Sequence, residues 1–168
     1  MKRLMIIPVL IMMVTTLSAQ KFGFVDSEYI RNNIPAFTAA QEKLDQLSKQ
    51  WEQEIAEGYQ VVEKMYKDYQ NESVLLSQEM RLKREEEIIQ KEGEVKELQN
   101  NYFGMEGELF KKRQELIQPI QDEILKAIKA VADEGAYAAI FDTASGGNIL
   151  FASPRYDVSD LVLEKMGY

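Results

Sequence analysis

The chain of 168 residues contains no cysteine and no histidine. Without cysteine it can form no disulfide and has no thiol nucleophile. Without histidine it lacks the commonest general base and the commonest nitrogen ligand of metal ions. Ser-His and Cys-His catalytic sites and His/Cys zinc sites are therefore excluded. The side chains that remain as possible catalytic groups are carboxylates, Lys, Tyr and Ser.

Basic residues are also in deficit, with 20 Lys and Arg against 28 Asp and Glu. This balance argues against a nucleic-acid partner, since nucleic acids favour basic surfaces. Carboxylate pairs such as Glu85 with Glu92, or Asp122 with Glu123, signify little in glutamate-rich helices. No glycine-rich phosphate loop is present. We therefore predict no enzyme, no cofactor and no metal site.

The amino terminus has the layout of a secretory signal peptide. Lys2 and Arg3 precede an uncharged apolar run from Leu4 to Leu17, which is followed by Ser18-Ala19-Gln20. The alternative is an uncleaved membrane anchor, but the run is shorter than the ~20 residues that cross a bilayer. We expect cleavage near Ala19, export to the periplasm and a mature chain of net charge −10.

Proline is absent from Ala36 to Gln118, a stretch rich in Glu, Gln, Lys, Leu and Met, which favour helices. Pro35 suits a first helical position. The cap-forming residues between Asn71 and Ser77 predict that the helix folds back there, with Ser77 as the new cap. We predict one helix over 36–71 and a second over 78–134.

Apolar residues spaced by three or four along both helices predict an antiparallel coiled coil. The seam comprises Leu44, Leu47, Trp51, Ile55, Tyr59, Val62, Tyr66 and Tyr69 in the first helix, and Ile88, Val95, Leu98, Tyr102, Met105 and Leu109 in the second.

Four glycines, Gly58, Gly93, Gly104 and Gly107, lie inside these predicted helices, where each costs about 1 kcal/mol relative to Ala. They either soften the helices so that an adaptable apolar surface can form, or are simply tolerated. The sequence leaves both explanations open.

Shorter elements flank the long helices. Strands are predicted over 21–26, 136–142 and 149–152, the last two joined as a hairpin through a turn at 145–148. Ser27 is expected to cap a helical turn through Ile30. Pro119 is expected to kink the second helix, and Gly135 to end it. A last helix over 161–166, capped by Asp157 or Ser159, stops at Gly167.

This pattern predicts a mainly helical α+β fold with three parts. They are a signal peptide (1–19), a β-containing body (20–35 and 119–168) and a helical-hairpin tentacle (36–118). Three short strands bury little on their own, and open sheet edges pair with other chains. We therefore expect the body to assemble into a homo-oligomer.

Several local sequences resemble the Skp/OmpH family of periplasmic chaperones. They are Phe22-Gly23-Phe24-Val25-Asp26, Ser77-Gln78-Glu79-Met80, Pro119-Ile120-Gln121, Ala127 to Ala132 leading into Tyr137 to Asp142, and Asp157 to Leu161. Their order and spacing cover essentially the whole mature chain.

The resemblance implies a homotrimer with a β-barrel body, whose tentacles hold unfolded outer-membrane β-barrel proteins without ATP. One feature departs from the family, because its best-known members are strongly basic. Arg81, Lys83 and Arg84 form a basic cluster, but Glu85 to Glu87 follow, which favours pairing within the helix over a lipid site. Lipopolysaccharide binding is therefore not carried over, and a peripheral membrane contact stays open.

Aromatic residues of the tentacle are candidates for the surface that contacts clients or for the seam. They are Tyr59, Tyr66, Tyr69, Tyr102, Phe103 and Phe110. The sequence does not separate the two roles. The main alternative to a chaperone is a structural coiled-coil spacer or adaptor of the envelope, which would bind no client.

Overall fold

The computed structural model describes residues 20–147 and 149–168. The predicted signal peptide therefore lies outside the described residues, as does Asn148 of the predicted turn. Among the helices that are described, none is long and apolar enough to cross a bilayer.

The fold is mainly helical with one small sheet, which confirms the predicted fold class. In chain order the elements are β1 (Lys21–Val25), α1 (Ser27–Asn32), α2 (Pro35–Glu72), α3 (Gln78–Phe103), α4 (Glu108–Glu134), β2 (Tyr137–Asp142), a 3₁₀ turn (Pro154–Tyr156) and α5 (Ser159–Met166). They form two compact units. We call residues 20–33 with 124–168 the sheet unit, and residues 34–123 the hairpin unit.

Local capping sets the bounds of the long helices. Helix α2 begins at Pro35, and its predicted extent is confirmed to within one residue at each end. The Ser77 hydroxyl accepts a hydrogen bond from the Met80 amide at 3.3 Å, as expected of the cap of α3. The chain leaves α5 at Gly167, whose φ of 91° suits glycine.

The prediction of one continuous second helix is wrong. It is two helices, α3 and α4, separated by Gly104-Met105-Glu106-Gly107. A Cβ on Gly104 would lie 2.4 Å from the Asn100 carbonyl oxygen, and one on Gly107 would lie 2.7 Å from that of Tyr102. Both glycines are therefore required by the turn. Helix α4 itself continues through Pro119.

Helices α2 and α3 pack antiparallel along a seam. One buried cluster comprises Ile55, Val62 and Val95, with Leu98, Tyr102 and Phe103 packed against it. A second comprises Ala40, Leu44 and Ile117. Met105 is 96% exposed, so its predicted place in the seam is wrong, because it lies in the turn between α3 and α4.

Gly58 lets the two helices approach closely. A Cβ at this position would lie 2.8 Å from Cγ2 of Val95. Around Gly93, by contrast, a Cβ would meet nothing within 4 Å. Gly58 therefore has a packing role, whereas Gly93 is tolerated on an exposed face.

The predicted hairpin of the second and third strands is wrong. Strand β2 pairs in parallel with β1, placing Phe24 opposite Phe141. Residues 149–152 form no strand, since the described sheet has only the two strands β1 and β2 and these residues do not pair with either of them. Gly146 in the preceding turn has a φ of 70°, as expected for glycine there.

Two side chains organise the junction after β1. Asp26, rather than the predicted Ser27, caps α1, and its carboxylate accepts hydrogen bonds from the amides of Glu28 and Tyr29 at 3.0 and 2.9 Å. Helix α1 consequently runs to Asn32, beyond the predicted Ile30. The Asp26 amide in turn donates to Oγ of the buried Ser159 at 2.9 Å.

Asp142 joins the end of β2 to the start of α1. The Ser27 amide donates to Oδ1 of Asp142 at 3.1 Å, and the Ser27 hydroxyl donates to Oδ2 at 2.7 Å. Partial burial raises the pKa of Asp142, but these bonds and one from the Ala144 amide outweigh it and lower the pKa below its usual value. The carboxylate is therefore charged at neutral pH.

Helix α5 begins at Ser159, two residues before the predicted Leu161. The Asp157 carboxylate accepts hydrogen bonds from the Ser159 amide at 2.8 Å and from its hydroxyl at 2.6 Å. Ser159 is thus the first helical residue rather than a cap. Helix α4 ends at Glu134, before Gly135, where a Cβ would lie 2.2 Å from Cε2 of Tyr137.

The two helix glycines provide a matched test of the close packing. Gly93→Ala is expected to stabilise the protein by about 1 kcal/mol, since alanine favours helix and nothing obstructs its Cβ. The free energy of unfolding of Gly58→Ala is expected to be about 2 kcal/mol lower than that of Gly93→Ala, because the stiff Val95 side chain must move. Urea unfolding followed by circular dichroism measures both. An equal gain from the two substitutions contradicts a packing role for Gly58.

Candidate functional site

An aromatic cluster closes the hairpin unit just before the break between α3 and α4. Trp51 stacks on Tyr102 with ring centroids 4.8 Å apart and planes 9° apart, and meets Phe103 edge-on at 6.3 Å. The Tyr102 hydroxyl donates to the Glu54 carboxylate at 2.9 Å, and this bond raises the pKa of Tyr102. The structure thus places Tyr102 and Phe103 in the seam.

Tyr69 also bridges the two helices. Its hydroxyl donates a hydrogen bond to the Glu85 carboxylate on α3, and this bond raises the pKa of Tyr69. The tyrosine remains a neutral hydrogen-bond donor, and the ring is half-buried. Its contacts are those of a seam residue near the turn.

The other three candidates keep a large part of their surface in water. Tyr59, Tyr66 and Phe110 are 38%, 43% and 45% exposed. The Tyr59 hydroxyl still reaches Oε1 of Gln99 across the seam at 3.2 Å. Three of the six predicted residues thus lie in the seam, and three offer exposed aromatic surface, although Tyr59 also makes a hydrogen bond across the seam.

A group of exposed apolar residues of the hairpin unit lies in and just after the turn between α2 and α3, and the sequence prediction did not include them. We call Val74, Leu75, Met80 and Leu82 the tip cluster. Their exposures are 81%, 87%, 54% and 61%. A signal was available, because polar residues are expected in a turn between two helices and this turn reads Val74-Leu75-Leu76.

A second apolar surface lies on the sheet unit. Phe22 and Phe24 share one face of β1, and their rings lie 6.1 and 6.0 Å from that of Phe141 on β2. Phe22 and Phe141 are 43% and 45% exposed. Nearby in sequence, Leu150 and Phe151 are 100% and 80% exposed.

The described residues contain no group of three or more acidic side chains placed to hold a metal ion. Within the same residues, no buried side-chain nitrogen or oxygen lacks a hydrogen bond. The two exposed surfaces described above are apolar.

Comparison with known proteins decides the family. Residues 21–166 match the family described as outer membrane protein (OmpH-like). The chain belongs to the OmpH-like family. The resemblance found in the sequence motifs is thereby confirmed at the level of the family.

A solved structure supports the OmpH-like fold. It is the crystal structure of an OmpH-like protein from Caulobacter crescentus CB15, a candidate outer membrane chaperone. It is 13% identical in sequence, with a TM-score of 0.68 over 86% of this chain and 82% of that one. No curated protein matches the chain significantly.

The structural placement of Tyr102 can be tested by two substitutions. Tyr102→Phe keeps the stack on Trp51 and loses the hydrogen bond to Glu54, so we expect the free energy of unfolding to fall by about 1 kcal/mol. Tyr102→Ala loses both, and we expect about 2–3 kcal/mol. Urea unfolding followed through the fluorescence of Trp51, the single tryptophan, measures both. A Tyr102→Ala variant as stable as the parent contradicts the assignment to the seam.

Proposed function

We propose that this OmpH-like protein is an ATP-independent holdase, which binds unfolded outer-membrane proteins and prevents their aggregation without catalysis. The observation that carries the proposal is the apolar surface of the hairpin unit, where the tip cluster and three aromatic residues remain exposed. Leaving such side chains in water forfeits about 1.5–3 kcal/mol for each large one. A partner that covers them is therefore favoured.

The surface suits clients that share composition rather than sequence. Its residues are spread along the hairpin unit and include Met80, whose unbranched side chain adapts to varied partners. Many weak apolar contacts can retain an unfolded chain without selecting one sequence. This fits a holdase better than a rigid spacer.

The six aromatic candidates receive two roles in the proposal. Tyr59, Tyr66 and Phe110 contact clients together with the tip cluster. Tyr69, Tyr102 and Phe103 keep α2 and α3 paired, which their contacts across the seam support. Their replacement is expected to weaken client binding only through loss of the hairpin.

The compartment proposed for this activity is the periplasm. The predicted signal peptide supports export, with removal near Ala19. Because the chain has no cysteine, the oxidising conditions outside the cytoplasm cannot form disulfides in it.

We further propose that the sheet unit is the oligomerisation body and the hairpin unit the tentacle. Phe22 and Phe141 are exposed on the face of the sheet that they share with the partly buried Phe24. The segment Leu150-Phe151 adds apolar surface with no strand partner among the described residues. Copies of the same chain would cover both, and the family resemblance implies three copies.

The holdase activity can be tested by light scattering. A urea-unfolded outer-membrane β-barrel protein is diluted into buffer without ATP, with and without a few-fold excess of the mature chain. We expect aggregation to be suppressed. The double variant Val74→Ser/Leu75→Ser should lose much of this effect while keeping its helical circular dichroism, because the tip cluster lies outside the seam.

Leu125→Ser provides the control, since Leu125 is likewise a largely exposed apolar residue, at 62%, but lies in the sheet unit. It is expected to suppress aggregation like the parent. If the parent protein left aggregation unchanged across several clients and salt concentrations, the holdase proposal would be contradicted and a structural spacer would be favoured. Equal losses in both variants would remove the special role of the tip cluster.

The oligomer proposal can be tested by sedimentation velocity. Phe141→Ser is expected to shift the protein towards a smaller species, because it removes the centre of the exposed phenylalanine face. Tyr66→Ser, at a residue of similar exposure in the hairpin unit, is expected to leave the sedimentation coefficient unchanged. A parent protein that sediments as a monomer at micromolar concentration would contradict the proposal.

A further inference from the structure

The net charge of the chain is confined to one part of it. We call residues 34–72 and 85–123 the limbs, and residues 73–84 the turn segment. The limbs hold 19 acidic and 9 basic residues, a net charge of −10. The turn segment holds 1 acidic and 3 basic residues, a net charge of +2. The sheet unit holds 8 acidic and 6 basic residues, a net charge of −2. Because these last two parts offset each other, the limbs account for the whole net charge of residues 20–168.

Most of this charge is not compensated within the hairpin. Six limb carboxylates form ion pairs with a base one helical turn away: Glu63, Glu87, Glu92, Glu94, Glu108 and Glu115. The other 13 of the 19 lie beyond ion-pair distance of any base in the described part of the chain. A surplus of negative potential therefore surrounds the limbs.

Exposed apolar side chains are interleaved with these carboxylates. Ile89, which is 66% exposed, lies one helical turn after Glu85 and Glu86. Val61, which is 47% exposed, lies one turn after Glu57. An apolar contact made here places carboxylates of the limbs close to the bound segment.

We propose that the limbs select client segments in which Lys or Arg residues alternate with apolar ones. The inference rests on the proposed holdase function and specifies the chemistry of its client. Apolar side chains supply the contact, while the basic ones are steered to the limbs and placed beside their carboxylates. Segments rich in Asp or Glu are repelled from the limbs. Within the hairpin unit, only the basic turn segment attracts them.

The full-length mature protein can test this with two fluorescent peptides of identical apolar residues, one with lysine and one with glutamate at the alternate positions. Fluorescence anisotropy at low salt is expected to show the lysine peptide binding at least about tenfold more tightly. The difference should shrink towards 1 M NaCl, where the Debye length falls to about 3 Å. Equal affinities at low salt, or tighter binding of the glutamate peptide, would overturn the proposal.

Two triple variants assign the preference to the limbs. Asp68→Asn/Glu86→Gln/Glu97→Gln removes three limb charges, and Glu28→Gln/Asp133→Asn/Glu164→Gln removes three from the sheet unit. All six side chains are exposed and take part in no ion pair among the described residues. Only the limb variant is expected to lose several-fold in affinity for the lysine peptide. Equal losses would show that net charge, rather than the limbs, sets the preference.

The aggregation assay with a client of near-zero net charge separates this inference from the function beneath it. Suppression of that client without any peptide preference overturns the charge selection and leaves the holdase intact. Absence of suppression for every client removes the proposed function itself. The basic turn segment of one copy could instead bind the limbs of another, and this self-association would appear as salt-sensitive sedimentation without peptide. If this contact between copies displaced the lysine peptide from the limbs, client selection by the limbs would be contradicted.

Discussion

The parallel pairing of β1 with β2 is the constraint on which the rest of the structure depends. Two parallel strands cannot be joined by a tight turn and require a crossover connection. Here the connection between the two strands contains the entire hairpin unit. Asp142 and Ser159 strengthen the sheet unit, because their hydrogen bonds join the end of β2 to Ser27 and the start of α5 to Asp26.

Features that depend on neighbouring residues could be predicted from the sequence, and those that depend on distant backbone could not. Pro35 and Ser77 mark helix starts through local geometry, and both predictions are confirmed. Whether a helical glycine is tolerated or required depends on the atoms around it. Gly93 has open space, whereas Gly104 lies against Asn100. The third strand was wrong because a strand needs an edge to pair with, which pattern alone does not supply.

The candidate surface shows the same division. Tyr102 and Phe110 were both candidates for the client surface or the seam, but only the structure shows that Tyr102 stacks on Trp51 while Phe110 stays exposed. The tip cluster was missed because the turn was read for its capping residues, and Leu75 has no capping function. Charge behaved differently, since the surplus in the limbs is additive over residues and can be counted directly.

The break at Gly104–Gly107 also divides the returning half of the hairpin into two cooperative segments. A continuous helix melts as a unit over long stretches, because each hydrogen bond supports its neighbours. Here that ladder ends at Phe103 and restarts at Glu108. The four intervening residues are not helical, so amide exchange of α3 can proceed while α4 keeps its protection. Helix α3, which carries the exposed Met80, Leu82 and Ile89, can thus open without unfolding α4.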